Sequence, residues 1–374
     1  MRIIIAGDLT LQDRSARIKW DERNLQHAFL AVRELIGESD HAIVNLESPV
    51  TDCTTPILKD GPTLKNPAVV FDIIRYCGFD IATLANNHLK DYGSQGVMDT
   101  IHRCKGHNIV PIGAASRLEV ARKPLVLSQH GRDRIGIINV CEHESSIATK
   151  NNAGANPLDL VNLYYDIKML KDQVDKVVVI IHGGREHYQL PTPRMKREYH
   201  LLIDYGADVI VNHHQHCYSG YEIYSGKPIF YGLGNFFFDR ASKRNNNWNE
   251  GLLLQLDIDN DKTDFKLIPY EQCNEKAAVK ILDEEKEKYK LEKLNAIIMD
   301  DRLLESEFER YVQASKIMSP LLPFGNKVMR SLYYRGLLPS FVSIKNKVLI
   351  ENTVSCETHR EVLLTYLKNQ IHNE

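Results

Sequence analysis

Along the first 212 residues, short aliphatic runs alternate with stretches whose apolar positions recur every three or four residues. The runs are Arg2–Gly7, Ala42–Leu46, Ile81–Ala85, Ile109–Ile112, Arg134–Val140, Val177–Ile181 and Val209–Val211, and they read as strands. Between them, Val69, Ile73, Ile74 and Cys77, and later Val97, Ile101 and Cys104, fall on single helical faces. Gly78, Gly106 and Gly206 stand where those helices would stop. Strand–helix alternation of this kind predicts an α/β sheet. After residue 220 the pattern becomes hairpin-like, with Tyr221–Tyr224, a Ser225-Gly226 turn, Ile229–Leu233 and then Gly251–Ile258.

The pattern changes near residue 275. Residues 282–316 are charged and helix-periodic, through Leu291, Leu294, Ile297, Ile298, Phe308, Tyr311 and Val312. Pro320 and Pro323 break that run, and two further helical patterns follow around 326–336 and 357–370. The expected division is therefore an α/β part over 1–275 and a mostly helical extension over 276–374. That extension could cover the cleft, pair with a second copy or dock on a partner protein.

Composition narrows the function classes. The chain has 374 residues, and its 43% hydrophobic content supports a sizeable core. Lys and Arg (47) nearly balance Asp and Glu (49), so there is no nucleic-acid footprint. The seven cysteines are widely spaced and form no CxxC, which predicts reduced thiols and a cytoplasmic setting. The first residues read as a strand rather than a signal peptide, and no apolar run is long enough to span a bilayer.

Six polar clusters end the strands or open the loops after them, where α/β proteins bind ligands. They are Gly7-Asp8, Asn45-Leu46-Glu47, Asn86-Asn87-His88, His182-Gly183-Gly184, His213-His214-Gln215-His216 and Gly234-Asn235. The donors are carboxylate, amide and imidazole with no thiolate, which suits one or two ions of Mn, Fe, Zn or Mg. Two such ions about 4 Å apart can clamp the oxygens of a phosphoryl group. Each residue also has a plainer reading. Asp8 could cap the next segment, Glu47 could be an exposed loop carboxylate and His182 a satisfied core histidine. Gly183-Gly184 nevertheless permits close approach of backbone to a ligand. On an extended chain His214 and His216 point the same way and His213 away, which makes His213 structural. Arg185 and Glu186 are either substrate contacts or a solvated pair. A Gly-rich turn accounts for Asn235 as well as a binding role does, and Glu142-His143 reads as an ordinary loop ahead of its other reading, as cleft lining.

Leu84-Ala85-Asn86-Asn87-His88, followed by Asp91-Tyr92-Gly93 and Gly96, resembles the signature of the CapA proteins of poly-γ-glutamate capsule synthesis. These form a branch of the calcineurin-like metallophosphoesterases. The resemblance continues through Asn45-Leu46-Glu47, His182-Gly183-Gly184, His213-His214-Gln215-His216 and Gly226-Lys227-Pro228-Ile229 to Gly234-Asn235-Phe236, over roughly residues 1–260. It implies a four-layer α/β/β/α sandwich and hydrolysis of a phosphoester by a metal-bound hydroxide. The setting it implies is capsule or surface-polymer biosynthesis, on an anionic small-molecule or polymer precursor. By resemblance, Asp8, Glu47, Asn87, His182, His214 and His216 are metal ligands and His88 is the proton donor. Asn45, Asn86, Arg185, Glu186 and Asn235 are placed around the substrate. Two other implied readings are amide or γ-glutamyl chemistry with Glu186 as base, and a non-catalytic subunit of a capsule assembly complex that binds polymer. The chain departs from the pattern at Asp8-Leu9-Thr10, where Thr10 stands in place of a usual histidine, and at Glu47, which replaces a bridging aspartate.

Overall fold

The aliphatic runs pair into two facing sheets in the computed structural model, which describes residues 1–129, 132–259, 262–314 and 343–372. Among the described residues, one sheet has eight strands. Across it lie Val279–Ile281, Thr263–Gln272, Glu250–Ile258, Arg2–Thr10, His41–Leu46, Ile81–Thr83 and Val110–Ile112, and Asn235–Phe238 also pairs with Arg2–Thr10. The other sheet has six: Tyr221–Tyr224, Lys227–Phe230, Val209–His213, Lys176–His182, Arg132–Cys141 and Leu125–Gln129. Arg2–Thr10, His41–Leu46, Ile81–Thr83 and Val110–Ile112 run parallel, as do Arg132–Cys141, Lys176–His182 and Val209–His213. Their carboxyl ends therefore collect along one edge of each sheet.

Side-chain alternation explains the layers. Ile3, Ile5, Ile43 and Ile81 point into a core shared with Ile135, Ile137, Val178, Ile180, Val209 and Val211 of the other sheet. Ile4, Ala6, Val44 and Ala82 point outward, where Phe29 and Val32 of helix Glu22–Ile36, Phe71 and Ile74 of helix Val70–Cys77 and Val97 of helix Gly93–Gly106 cover them. On the far side, Leu163 and Ile167 of helix Leu160–Lys171 and Leu202 of helix Pro193–Tyr205 cover Val177, Val179, Ile181 and Ile210. The result is the α/β/β/α sandwich that the resemblance implies. Burial on both faces is why the strands read as unbroken aliphatic runs. No helix among the described residues is long and apolar enough to cross a membrane.

The C-terminal helices contribute to the outer layer on the second sheet. Ile298 of helix Glu284–Met299 and Leu304, Phe308 and Val312 of helix Asp301–Ala314 join that core, as does Val362 of helix Glu357–His372. The periodic run expected over 282–316 is two helices rather than one. Asp300 leaves helical geometry (φ −104°, ψ 104°), and its Oδ1 accepts hydrogen bonds from the backbone N–H groups of Arg302 and Leu303 at 3.0 and 3.1 Å. An aspartate that caps the following helix in this way stops the one before it. Helix Ile344–Ser355 has no counterpart among the expected elements. The expected break at Pro320 and Pro323 and the helix around 326–336 lie outside the described residues.

Candidate metal centre

The polar clusters meet because both sheets deliver their strand ends to one place. Gly7 makes the first of these turns possible. A Cβ on Gly7 would lie 1.8 Å from the carbonyl oxygen of Gly234, so only glycine lets strand Asn235–Phe238 come in beside Arg2–Thr10. The pairing with His41–Leu46 shifts register between Ala6 and Asp8, a local bulge that re-aims Asp8. Asp8 is fully buried, and its Oδ1 accepts from Asn45 Nδ2 at 2.7 Å. Asn45 Nδ2 also lies 3.2 Å from His182 Nδ1, so this amide spans the two sheets. The backbone N–H of Glu47 donates to Leu9 O at 3.0 Å, which sets the carboxylate beside Asp8.

From the second sheet come His182, His213, His214 and His216, all at most 4% exposed. His182 Nδ1 is 3.8 Å from Asp8 Oδ1, while its Nε2 lies 3.2 Å from Asn87 Oδ1, 3.1 Å from His214 Nδ1 and 4.0 Å from Glu47 Oε1. The backbone N–H of His214 donates to Asp8 Oδ2 at 3.2 Å. His216 Nδ1 lies 2.9 Å from Asn235 Oδ1, a bond in which the ring nitrogen donates to the amide oxygen. That leaves Nε2 as the nitrogen a metal could take on losing its proton, 3.8 Å from Glu47 Oε1. Ligand atoms of Asp8, Glu47 and His216 all lie within 4.8 Å of one another.

His213 is the residue the extended-chain reading assigned elsewhere. His214 (φ 92°) and His216 (φ 57°) both take left-handed backbone, so side-chain alternation fails across this loop. His213 Nδ1 instead lies 3.9 Å from Asp8 Oδ1. Thr10, at the position where the resemblance expects an imidazole, engages its hydroxyl with Ser48 Oγ at 2.9 Å and Asn66 Oδ1 at 3.2 Å.

The polar atoms left over fit a cation. Both carboxylate oxygens of Glu47 and both ring nitrogens of His213 are buried without a hydrogen-bond partner. Buried polar groups are strongly disfavoured in that state. Burial pushes the Glu47 carboxyl well above its usual range, with Asp8 and Glu186 adding to the effect against His216 and Lys59. Asp8 goes the other way. Burial works against its charge, but the bond to His216 and the nearby imidazoles of His182 and His213 hold it below the usual range. Burial alone would lower the His216 pKa, yet Glu47, Asp8 and Glu186 push it up to about 10. In the absence of an ion the His216 imidazolium is the charge that meets these carboxylates, and a metal would take over that place. Oxygen and nitrogen donors without thiolate suit Mn, Fe, Zn or Mg.

His88 stands at the side. Its Nδ1 is 2.7 Å from Asp91 Oδ2, and Asp91 Oδ1 accepts from Lys59 Nζ at 2.7 Å. Lys59 Nζ also sits 3.3 Å from His88 Nδ1. Burial first and then Lys59 lower the His88 pKa, against Asp91. No described residue bonds its Nε2. The remaining expected residues divide by what they touch. Asn86 ties its loop to the end of strand His41–Leu46, its amide donating to Leu46 O at 3.0 Å and to Leu84 O at 3.2 Å. Asn235 orients His216, and Arg185 Nε donates to Tyr311 Oη at 2.8 Å. Glu186 lies exposed among His216, His214, His187 and His88; crowding disfavours its charge, but these imidazoles bring its pKa to about 2. Sequence reasoning did not single out Lys59 or His187. Asp91 was visible in the sequence only as part of the Asp91-Tyr92-Gly93 stretch of the resemblance, without a role, and Lys59 carries no local signal.

A family model described as "Bacterial capsule synthesis protein PGA_cap" matches residues 2–240. The chain is 30% identical over 227 residues to "PGA biosynthesis protein CapA" of Bacillus subtilis (strain 168), which is 60% of each chain. It is 28% identical over 259 residues to "Capsule biosynthesis protein CapA" of Bacillus anthracis, covering 65% of this chain and 61% of that one. The match thus spans about 60% of the length of these relatives. Among solved structures, a calcineurin-like phosphoesterase from Bacillus subtilis is 14% identical with a TM-score of 0.41, over 75% of this chain and 89% of that one. A 5'-nucleotidase from Candida albicans SC5314 is 11% identical with a TM-score of 0.45, over 96% of this chain and 57% of that one.

Proposed function

The chain belongs to the family of bacterial capsule synthesis proteins that this model describes, and from that premise we propose that it is a divalent-metal-dependent phosphoester hydrolase. The observation that carries the reading is Glu47, buried beside Asp8 and His216 with both carboxylate oxygens unpartnered. Asp8, Glu47, Asn87, His182, His214 and His216 would hold one or two ions, with His213 taking the place of the imidazole that Thr10 does not supply. Bound there, a divalent ion polarises a phosphoryl oxygen and makes water acidic enough to attack at neutral pH.

The chain's own residues do the rest. Asn45 and Asn235 hold Asp8 and His216 in fixed orientation. Asp91 fixes the His88 ring through Nδ1, which leaves Nε2 as the atom that passes a proton to the leaving oxygen in the protonated form of the ring, a form that the lowered pKa makes the minor one at neutral pH. Lys59, held by Asp91, brings positive charge beside His88 and favours an anionic substrate. Amide hydrolysis with Glu186 as base is the weaker reading, because a carboxyl with a pKa near 2 is a poor proton acceptor at neutral pH. The relatives' names place them in capsule and PGA biosynthesis, and we read the same setting here, on an anionic precursor in the cytoplasm. The seven free cysteines agree with a reducing compartment.

The test is metal content by mass spectrometry, together with hydrolysis of bis-(p-nitrophenyl) phosphate by the wild type and His88→Ala. One or two ions per chain and a rate loss of about 10²–10⁴ in a variant that still binds metal are expected. Wild-type protein that takes up none of Mn, Fe, Zn or Mg removes the reading.

A further inference from the structure

Gly183 and Gly184 directly follow His182, and part of what holds them lies outside the family-matched stretch 2–240. The link is Glu142, in the loop after strand Arg132–Cys141, which its sequence context presents as ordinary. It is 4% exposed. Its backbone N–H donates to His182 O at 3.1 Å, and its Oε2 accepts from the N–H of Gly184 at 3.2 Å. A Cβ on Gly183 would come within 2.7 Å of Glu142 Cγ, so the side chain lies flush against the turn.

The other carboxylate oxygen faces the C-terminus. Oε1 accepts from Thr358 Oγ1 at 2.6 Å and pairs with the Arg194 guanidinium. Thr358 is fully buried in the first turn of helix Glu357–His372. Two neighbours seat the same turn. Glu357 accepts from the backbone N–H of His143 at 2.9 Å and lies 2.5 Å from its Nδ1, and Glu361 accepts from the backbone N–H of Arg194 at 2.9 Å. A buried carboxylate keeps its place only when it is paired and its remaining lone pairs are satisfied. Here the satisfied set joins the last helix to the turn that carries His182.

We propose that Glu142 and Thr358 are positioning residues of the metal centre: the last helix, acting through Glu142, fixes the Gly183-Gly184 turn and with it the imidazole of His182. The inference rests on the metal reading above. Loss of an outer partner of a metal ligand typically weakens affinity about 10–100-fold.

Calorimetric titration of the full chain with Mn²⁺ tests it, with thermal melting in parallel. Thr358→Val should bind Mn²⁺ at least about tenfold more weakly than wild type, and Thr358→Ser, which keeps the hydroxyl, should restore most of that loss. Wild-type affinity in Thr358→Val, with only Tm lowered, overturns the proposal and leaves the metal reading intact. If Thr358→Val does not fold, Glu142→Gln decides on the same titration. A tenfold loss upholds the proposal and unchanged affinity overturns it. A wild-type chain that binds no divalent ion removes both.

Discussion

Glu47 is held at the sheet edge in a state no buried carboxylate favours, with neither oxygen bonded and Asp8 close by. On the proposed reading, binding capacity is set against stability here. Glu47→Gln should stabilise the metal-free protein by about 1 kcal/mol while abolishing stoichiometric metal uptake, read by calorimetry with and without chelator. A metal-free variant less stable than wild type would show that Glu47 has a partner the structure lacks. His213 gives a second prediction. If it supplies an imidazole to the cation, His213→Ala lowers Mn²⁺ affinity by about tenfold or more; an unchanged affinity makes it a core filler. The difference between these residues is also a difference in what sequence reveals. Glu47 and His182 fall directly at strand ends and Asp8 near one, so their placement was legible from periodicity, whereas His88 lies in the loop five residues past Thr83. His213 was not legible, because alternation assumes extended backbone and the left-handed angles of His214 and His216 have no sequence mark.

Strands were the most legible elements. All seven runs expected before residue 212 are strands, shifted by no more than a few residues at their ends. The break at Asp300 was hidden inside a continuous helical period. Helix Ile344–Ser355 buries none of its residues, so it has no apolar stripe to read. Two substitutions probe elements rather than chemistry. Gly7→Ala drives a methyl into the backbone of Gly234 and should cost about 3 kcal/mol or more, or prevent folding, as seen by denaturant titration. In the hairpin Tyr221–Tyr224 to Lys227–Phe230, Ser225 (φ 51°) and Gly226 (φ 77°) both adopt the angles of a type I′ turn. Ser225→Asn should therefore stabilise the protein by about 0.5 kcal/mol, because asparagine tolerates that backbone better than serine.

For the whole molecule, the C-terminal helices bury Ile298, Leu304, Phe308, Val312 and Val362 against the second sheet's outer layer. A chain ending at Leu282 should expose that face and bind a hydrophobic dye, or precipitate. The docking of the last helix also carries a pH dependence. The hydrogen bond to Glu357 raises the His143 pKa above its ordinary 6.5, against burial and with help from Asp159 and Glu142. A raised histidine contributes stability that is fully present below pH 6.5 and lost as pH rises through the folded value. Hydrogen exchange in Glu357–His372 should accordingly speed up above pH 6.5 beyond the intrinsic trend, and His143→Ala should flatten the change. Strand order has a further effect during synthesis. Arg2–Thr10 lies between His41–Leu46 on one side and Glu250–Ile258 on the other. It is synthesised before either neighbour, and Glu250–Ile258 follows about 240 residues later, tens of seconds at about 5–20 residues per second. The arrangement that brings Asp8 to His216 thus leaves an aliphatic strand bare along one side until that later strand emerges, a natural target for a chaperone.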